Sequence, residues 1–156
     1  WRERLKEEEI NAQLNQLVRP GKFMILPGFV FRRSDPVIVG IEVLGGVVRP
    51  GYPLISSKGR EVGRVLAIKD NDKSLDVVRT GARVAISIEG KVMVGRQIDE
   101  GDIVYTDVPV DHAIKLLTDF RKFISDDEVI VLKEIAELKK KLGQKEYVVV
   151  LNRLGS

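Results

Sequence analysis

The rhythm of apolar and polar positions changes twice along this chain. In residues 1–18, WRERLKEEEINAQLNQLV, the positions Leu5, Ile10, Leu14 and Leu17 settle into four- and three-residue intervals, with no Gly or Pro among them. That spacing predicts a mostly polar helix with a narrow apolar stripe. Arg19-Pro20-Gly21 ends it, because proline cannot continue the hydrogen-bond ladder and glycine permits a sharp exit. No N-cap residue precedes Trp1 and no Met opens the chain, so the helix is expected to begin upstream in a longer protein.

Residues 22–110 carry short β-branched runs separated by turn signals. The expected strands are Phe23–Leu26, Phe29–Phe31, Val37–Leu44, Tyr52–Ile55, Val62–Ile68, Arg83–Ile88, Val92–Val94 and Ile103–Tyr105. Gly45-Gly46 reads as a hairpin turn, Ser56 to Gly59 as a second turn and Asp70-Asn71-Asp72 as a third. In Arg83–Ile88 the alternation is clean, with Val84, Ile86 and Ile88 on one side. Many short strands at even spacing predict a sandwich or a closed barrel. The barrel is favoured because it removes sheet edges.

Residues 111–142 return to helical period. Ala113, Leu116, Leu117, Phe120, Phe123 and Ile124 form one stripe. Asp126 and Asp127 read as N-cap and first-turn residues of a second helix, which ends at Lys139-Lys140-Lys141 before Gly143. In the tail, 143–156, the run Tyr147–Leu151 reads as a strand or as part of a disordered end, and Gly155-Ser156 allow a vector origin.

Composition narrows the chemistry. Among 156 residues there is one His and no Cys, which excludes disulfides, thiol catalysis, Fe–S clusters and Cys-ligated zinc. No apolar run approaches the roughly 20 residues that span a bilayer, which predicts a soluble, cytoplasmic protein. No GxxxxGK[ST], GxGxxG, HExxH or GxSxG motif occurs, so the chain is expected not to be an enzyme and to hold no metal. His112 reads as a solvent-facing residue at a helix start, and Asp99-Glu100 as a solvated turn.

The net charge is only +3, too mild to mark a nucleic-acid binder by itself. Its placement says more. Residues 29–68 carry Arg32, Arg33, Arg49, Lys58, Arg60 and Arg64 against Asp35, Glu42 and Glu61, whereas residues 69–110 are slightly acidic. That is an ordinary mixed surface or a limited phosphate-contacting face. Phe29, Phe31 and Tyr52 lie among these arginines. Aromatics so placed can stack nucleotides, but alternation assigns Phe29 and Phe31 to the barrel core. The two helices have apolar faces too broad for a pair this small to hide, which leaves a groove for an apolar segment.

Three stretches, LPGFVFRRSDPVIVGIEVLGGVVRPGYPLI, GREVGRVLAIKDNDKSLDVVRTGARVAISIEG and VGRQIDEGDIVYTDV, taken in order, resemble the fourth domain of archaeal and eukaryotic translation initiation factor 5B, the counterpart of bacterial initiation factor two. The resemblance covers roughly residues 1 to 142. It implies a mainly β fold with α: a closed translation-factor-type β-barrel over residues 22–110, preceded by the end of a long connecting helix at 1–21. A two-helix subdomain at 111–142 and the tail at 143–156 follow. It further implies that the barrel grips the aminoacylated acceptor end of methionyl initiator tRNA. The helices would bind the C-terminal tail of initiation factor 1A, and the whole factor would support joining of the ribosomal subunits. GTP and magnesium would belong to an upstream domain, with no cofactor in this stretch.

Under that resemblance, Arg32, Arg33 and Arg60 are the expected phosphate and ribose contacts, with Arg64, Arg96 and Gln97 behind them. Arg96 either faces solvent or braces the barrel. Methionine and the terminal adenosine need an apolar or aromatic shelf, placed near Phe31. The peptide groove is expected at Leu117, Phe120, Phe123, Val129 and Leu132, rimmed by Arg121, Lys122 and Lys133. Val129 stands where the eukaryotic pattern has an aromatic. Two other readings compete: a protein–protein adaptor whose barrel is a rigid spacer, and a translation-type barrel that touches ribosomal RNA.

Overall fold

The computed structural model describes residues 9–10 and 12–154. Half of the expected leading helix, including Trp1 and Leu5, lies outside them. Residues 12–15 are helical, and Leu14 and Leu17 of the apolar stripe are buried.

Eight strands follow: β1 (Gly21–Arg32), β2 (Val37–Val48), β3 (Pro53–Ser56), β4 (Glu61–Asp70), β5 (Lys73–Leu75), β6 (Val78–Arg79), β7 (Arg83–Glu89) and β8 (Ile103–Thr106). Neighbours pair in the order β1-β8-β3-β4-β7-β2, and β2 pairs again with β1, so six strands close a ring. β5 and β6 attach to β4 and β2 outside that ring. Closure satisfies every ring strand on both edges, which is the reason a chain of short strands adopts it. Phe23, Ile25, Val39, Ile41, Leu54 and Ile68 point inward with the alternating set Val84, Ile86 and Ile88.

Two expected turns and strands differ. Gly45-Gly46 is not a turn, since β2 runs through it to Val48. These glycines serve close approach instead. A Cβ on Gly46 would stand 2.0 Å from the Pro20 carbonyl oxygen, and one on Gly45 would stand 2.7 Å from Val131 Cγ2. Val92–Val94 forms no strand but belongs to a loop tied by a bridge between Val94 and Ile98.

After the barrel come α1 (Val110–Thr118), a 3-10 turn at Arg121–Phe123, α2 (Asp126–Lys141) and α3 (Tyr147–Arg153). The N-cap of α2 is Ser125, which forms a capping box with Glu128, while Asp126 and Asp127 occupy the first turn. The tail is neither strand nor disordered over 147–153. It is the helix α3, which packs on α1 and α2 and buries Tyr147 and Val150. The four-residue spacing of Tyr147 and Leu151 and the three-residue step to Val150 make one helical face, although the β-branched run reads as strand. Val108, Leu116, Leu132 and Ile135 join these residues in a second core. No helix among the described residues is long and apolar enough to cross a membrane.

A seam of polar contacts joins the two cores. Arg19 donates to both carboxylate oxygens of Glu128, at 2.9 and 2.6 Å, with both side chains buried. Thr106 accepts from the Gly21 amide at 2.9 Å and donates to the Arg19 carbonyl at 2.8 Å. His112, rather than facing solvent, is half-buried and accepts the Val18 amide through Nδ1 at 3.1 Å. Asp127 accepts from the Gly46 amide and from the Thr80 and Ser125 hydroxyls.

Those hydroxyls, Ser125 first and Thr80 next, hold the Asp127 carboxyl down at about 2. A carboxyl depressed in the fold stabilises it above the ordinary carboxyl range near 4, and that contribution disappears as pH falls through 2. Asp127→Asn is therefore expected to lower the melting temperature at pH 6, with the gap to the parent chain closing between pH 4 and 2. A gap that persists unchanged at pH 2 would contradict this clamp.

Candidate functional site

The outward surface of the barrel carries its site on the second half of β1. Ile25 pairs with Ile41 and Val30 with Val39, so β1 uses four residues, Leu26 to Phe29, where β2 uses only Gly40. The bulge shifts the phase of alternation. Val30 then turns toward the barrel core, while Phe29 and Phe31 turn out, 51% and 64% exposed. Their expected place in the core is thus corrected. Gly28, at φ 83°, makes the bulge, and Gly40 seats the Phe29 ring: a Cβ there would stand 2.8 Å from the Phe29 Cβ.

The two rings meet edge to face with centroids 6.5 Å apart. They wall an open cavity of about 450 Å³ with Leu26, Pro27, Val84 and Ala85, and Lys69, Asp70 and Arg83 stand at its rim. Exposed aromatics over an apolar hollow form a platform on which a flat ring can stack. Tyr52, the third aromatic among the arginines, is buried inside the barrel.

The arginines gather beside this platform. Arg33 donates to the Val94 carbonyl at 3.4 Å and so lies against the 90–97 loop. Gln97 braces that loop by accepting the Met93 amide at 3.0 Å. Arg96 is exposed and makes no side-chain hydrogen bond among the described residues, so it faces solvent. It lines a cavity of about 320 Å³ with Lys58, Arg60 and Gln97 on one side and Asp99, Glu100 and Asp102 on the other, and another of about 240 Å³ with Lys91, Ser34 and Asp35. Glu100, on the wall of the first, accepts the Gly28 amide at 2.8 Å, which ties the arginine end to the aromatic bulge.

The structure therefore brings Arg33, Arg60, Arg96 and Gln97 together. Arg32 sits nearby with its Nε donating to the Ser34 carbonyl at 2.9 Å. Arg64 is separate. Strand pairing sets it opposite Pro53 and Glu89, in a cavity with Glu61 and Asp107, where carboxylates surround it. Lys58 was expected only as part of the basic stretch and Asp70 only as a turn residue, and Lys69 and Lys91 were not expected at all. The signal available was Pro27-Gly28, a breaker inside an apolar run.

On the helices the expected groove is corrected. Phe120 is 5% exposed and Leu132 fully buried, both inside the helical core that Tyr147 and Val150 of α3 also enter. Leu117 and Val129 are half-buried in the same core. Phe123 at 44% and Ile130 at 63% exposure remain outside, with Arg121, Lys122 and Lys133 exposed as well.

This closed antiparallel barrel with its helical appendage is a fold shared with translation factors. The chain is similar to one part of the crystal structure of GDP-bound aIF5B from Aeropyrum pernix, with a TM-score of 0.91 and 58% identity over 97% of this chain and 25% of that one. It belongs to the elongation factor Tu domain 4 family, whose model matches residues 19–105. Two curated relatives, each named "Probable translation initiation factor IF-2", come from Aeropyrum pernix, 58% identical over 99% of this chain, and Ignicoccus hospitalis, 57% identical over 90%. The chain spans about a quarter of their length, 25% and 23%.

Proposed function

We propose that this chain is the barrel-and-helix end of a translation initiation factor and that its barrel binds the aminoacylated acceptor end of methionyl initiator tRNA. One observation carries the reading: an exposed aromatic platform, Phe29 and Phe31, is continuous through the Gly28–Glu100 contact with a cluster of Arg33, Arg60 and Arg96. Single-stranded ends are held by base stacking together with a few phosphate contacts, and this surface offers both. Four or five cations suit a short end better than a duplex. The names of the relatives support the setting. GTP and magnesium fall to the upstream part of such a factor, and the ribosomal subunits are the larger partners.

For the tail of initiation factor 1A, the surface that fits is Phe123 and Ile130 with Arg121, Lys122 and Lys133, not the buried Phe120 and Leu132. An acidic, apolar tail would set its side chains on the two exposed residues and its charges against the basic rim.

The test is a titration of the chain with a methionylated acceptor minihelix and with the same RNA uncharged, followed by backbone NMR and repeated over a salt series. Signals of Phe29–Arg33 and of 91–97 are expected to move. Phe31→Ala is expected to weaken binding by about 1–3 kcal/mol, the range for one stacked base. Replacing Arg33, Arg60 and Arg96 with alanine together should reduce the slope of log K against log salt by about 2, at roughly 0.7 per phosphate contact. Barrel signals that stay still at low salt would overturn the reading and leave the adaptor role.

A further inference from the structure

The cavity under the aromatic shelf has a floor and a rim of different chemistry. Its floor is apolar: Leu26, Phe29, Phe31, Val84 and Ala85. Two cations and a single carboxylate stand on the rim. Arg83, one of the cations, already donates to Glu42 at 3.0 Å. Asp70, the carboxylate, is exposed and has no ion pair or side-chain hydrogen bond among the described residues. It is the last residue of β4, opposite Lys73 across a two-residue turn, and Asn71 in that turn takes φ 58°. The turn sets the backbone of Asp70 at the cavity mouth.

We propose that Asp70 recognises the free α-ammonium of the aminoacyl ester whose side chain lies on the Phe29–Phe31 shelf, so that the site selects the free amine against an N-acylated one. This rests on the acceptor-end reading above. An apolar floor takes an unbranched thioether, and sulfur packs favourably at aromatic edges. The ammonium beside it then has two attractions: the Asp70 carboxylate and the negative faces of the rings. Lys69, the other rim cation, is left for the phosphate that leads into the terminal nucleoside. An amide in place of the amine loses its charge, and its extra acyl group must stand against the unpaired carboxylate, which leaves Asp70 without a cation to hold.

Three ligands test this: a methionyl minihelix, its N-acetylmethionyl form and the uncharged RNA, titrated against the parent chain, Asp70→Asn and Asp72→Asn. The parent is expected to prefer the free-amine ester by about five-fold, the ratio that one partly exposed charge pair supplies. Asp70→Asn should remove most of that preference, by weakening the free-amine ester while the N-acetyl form binds at least as well as before. Asp72→Asn, in the same turn but outside the cavity, should keep the preference. A preference that survives Asp70→Asn, or one equally lost in Asp72→Asn, would overturn the assignment. In either case, parent binding that still favours acylated over uncharged RNA leaves the acceptor-end reading standing. Equal binding of all three RNAs by the parent would overturn both.

Discussion

Glu128→Ala is expected to lower the melting temperature of this chain by about 10 °C. The carboxylate is fully buried and holds Arg19, itself 7% exposed, through two hydrogen bonds. Removing one member of a buried pair strands the other charge, at a cost of about 3–5 kcal/mol. For a chain of this size each kcal/mol moves the midpoint by about 2–4 °C. Glu128 is also the N3 residue of the capping box, so the first turn of α2 loses a partner at the same time. The double change Arg19→Met with Glu128→Leu removes both charges and should recover much of the loss. Thermal melts of the three chains decide the matter. A single variant within 2 °C of the parent would show that Arg19 reaches water without its partner.

The second large effect belongs to the tail. Tyr147→Ala should cost about 3–5 kcal/mol, the usual range for deleting a buried aromatic. The ring is 2% exposed, Lys139 lies 5.9 Å above it, and its hydroxyl donates to the Val108 carbonyl at 2.6 Å. Tyr147→Phe keeps the ring and loses only that bond, so it should cost about 1 kcal/mol. Denaturant unfolding of both variants separates packing from hydrogen bonding. Equal losses would mean that the hydroxyl, not the ring, anchors α3. Burial pushes the Tyr147 hydroxyl well above its ordinary value, so this anchor holds through mildly alkaline pH.

Periodicity alone made the inward set of β7 legible, because Val84, Ile86 and Ile88 face one uninterrupted core. The same reasoning assigned Phe29 and Phe31 to the wrong side. Alternation fixes which residues share a face but not which face it is, and the bulge at Leu26 to Phe29 inserts the residues that decide it. Gly45-Gly46 misled for a related reason. A glycine pair marks either a turn or a close approach, and only the positions of Pro20 and Val131 distinguish the two. The tail resisted because Val148-Val149-Val150 has the propensity of a strand, and packing on α1 and α2 overrides it. Of the arginines, charge placement pointed to the basic stretch of residues 29–68, which holds Arg32, Arg33, Arg60 and Arg64 but not Arg96. It had no means of separating Arg64, whose acidic neighbours come from β7 and from the residue after β8.

Val18 packs against both the barrel interior and the helical layer, and the next residue is pinned between them by Glu128 and Thr106. A pull along the leading segment consequently loads the two cores in parallel, not one after the other. Stretched from that end, the chain should yield in a single rupture instead of a staircase, and displacement of the segment should carry the barrel and the three helices along as one block.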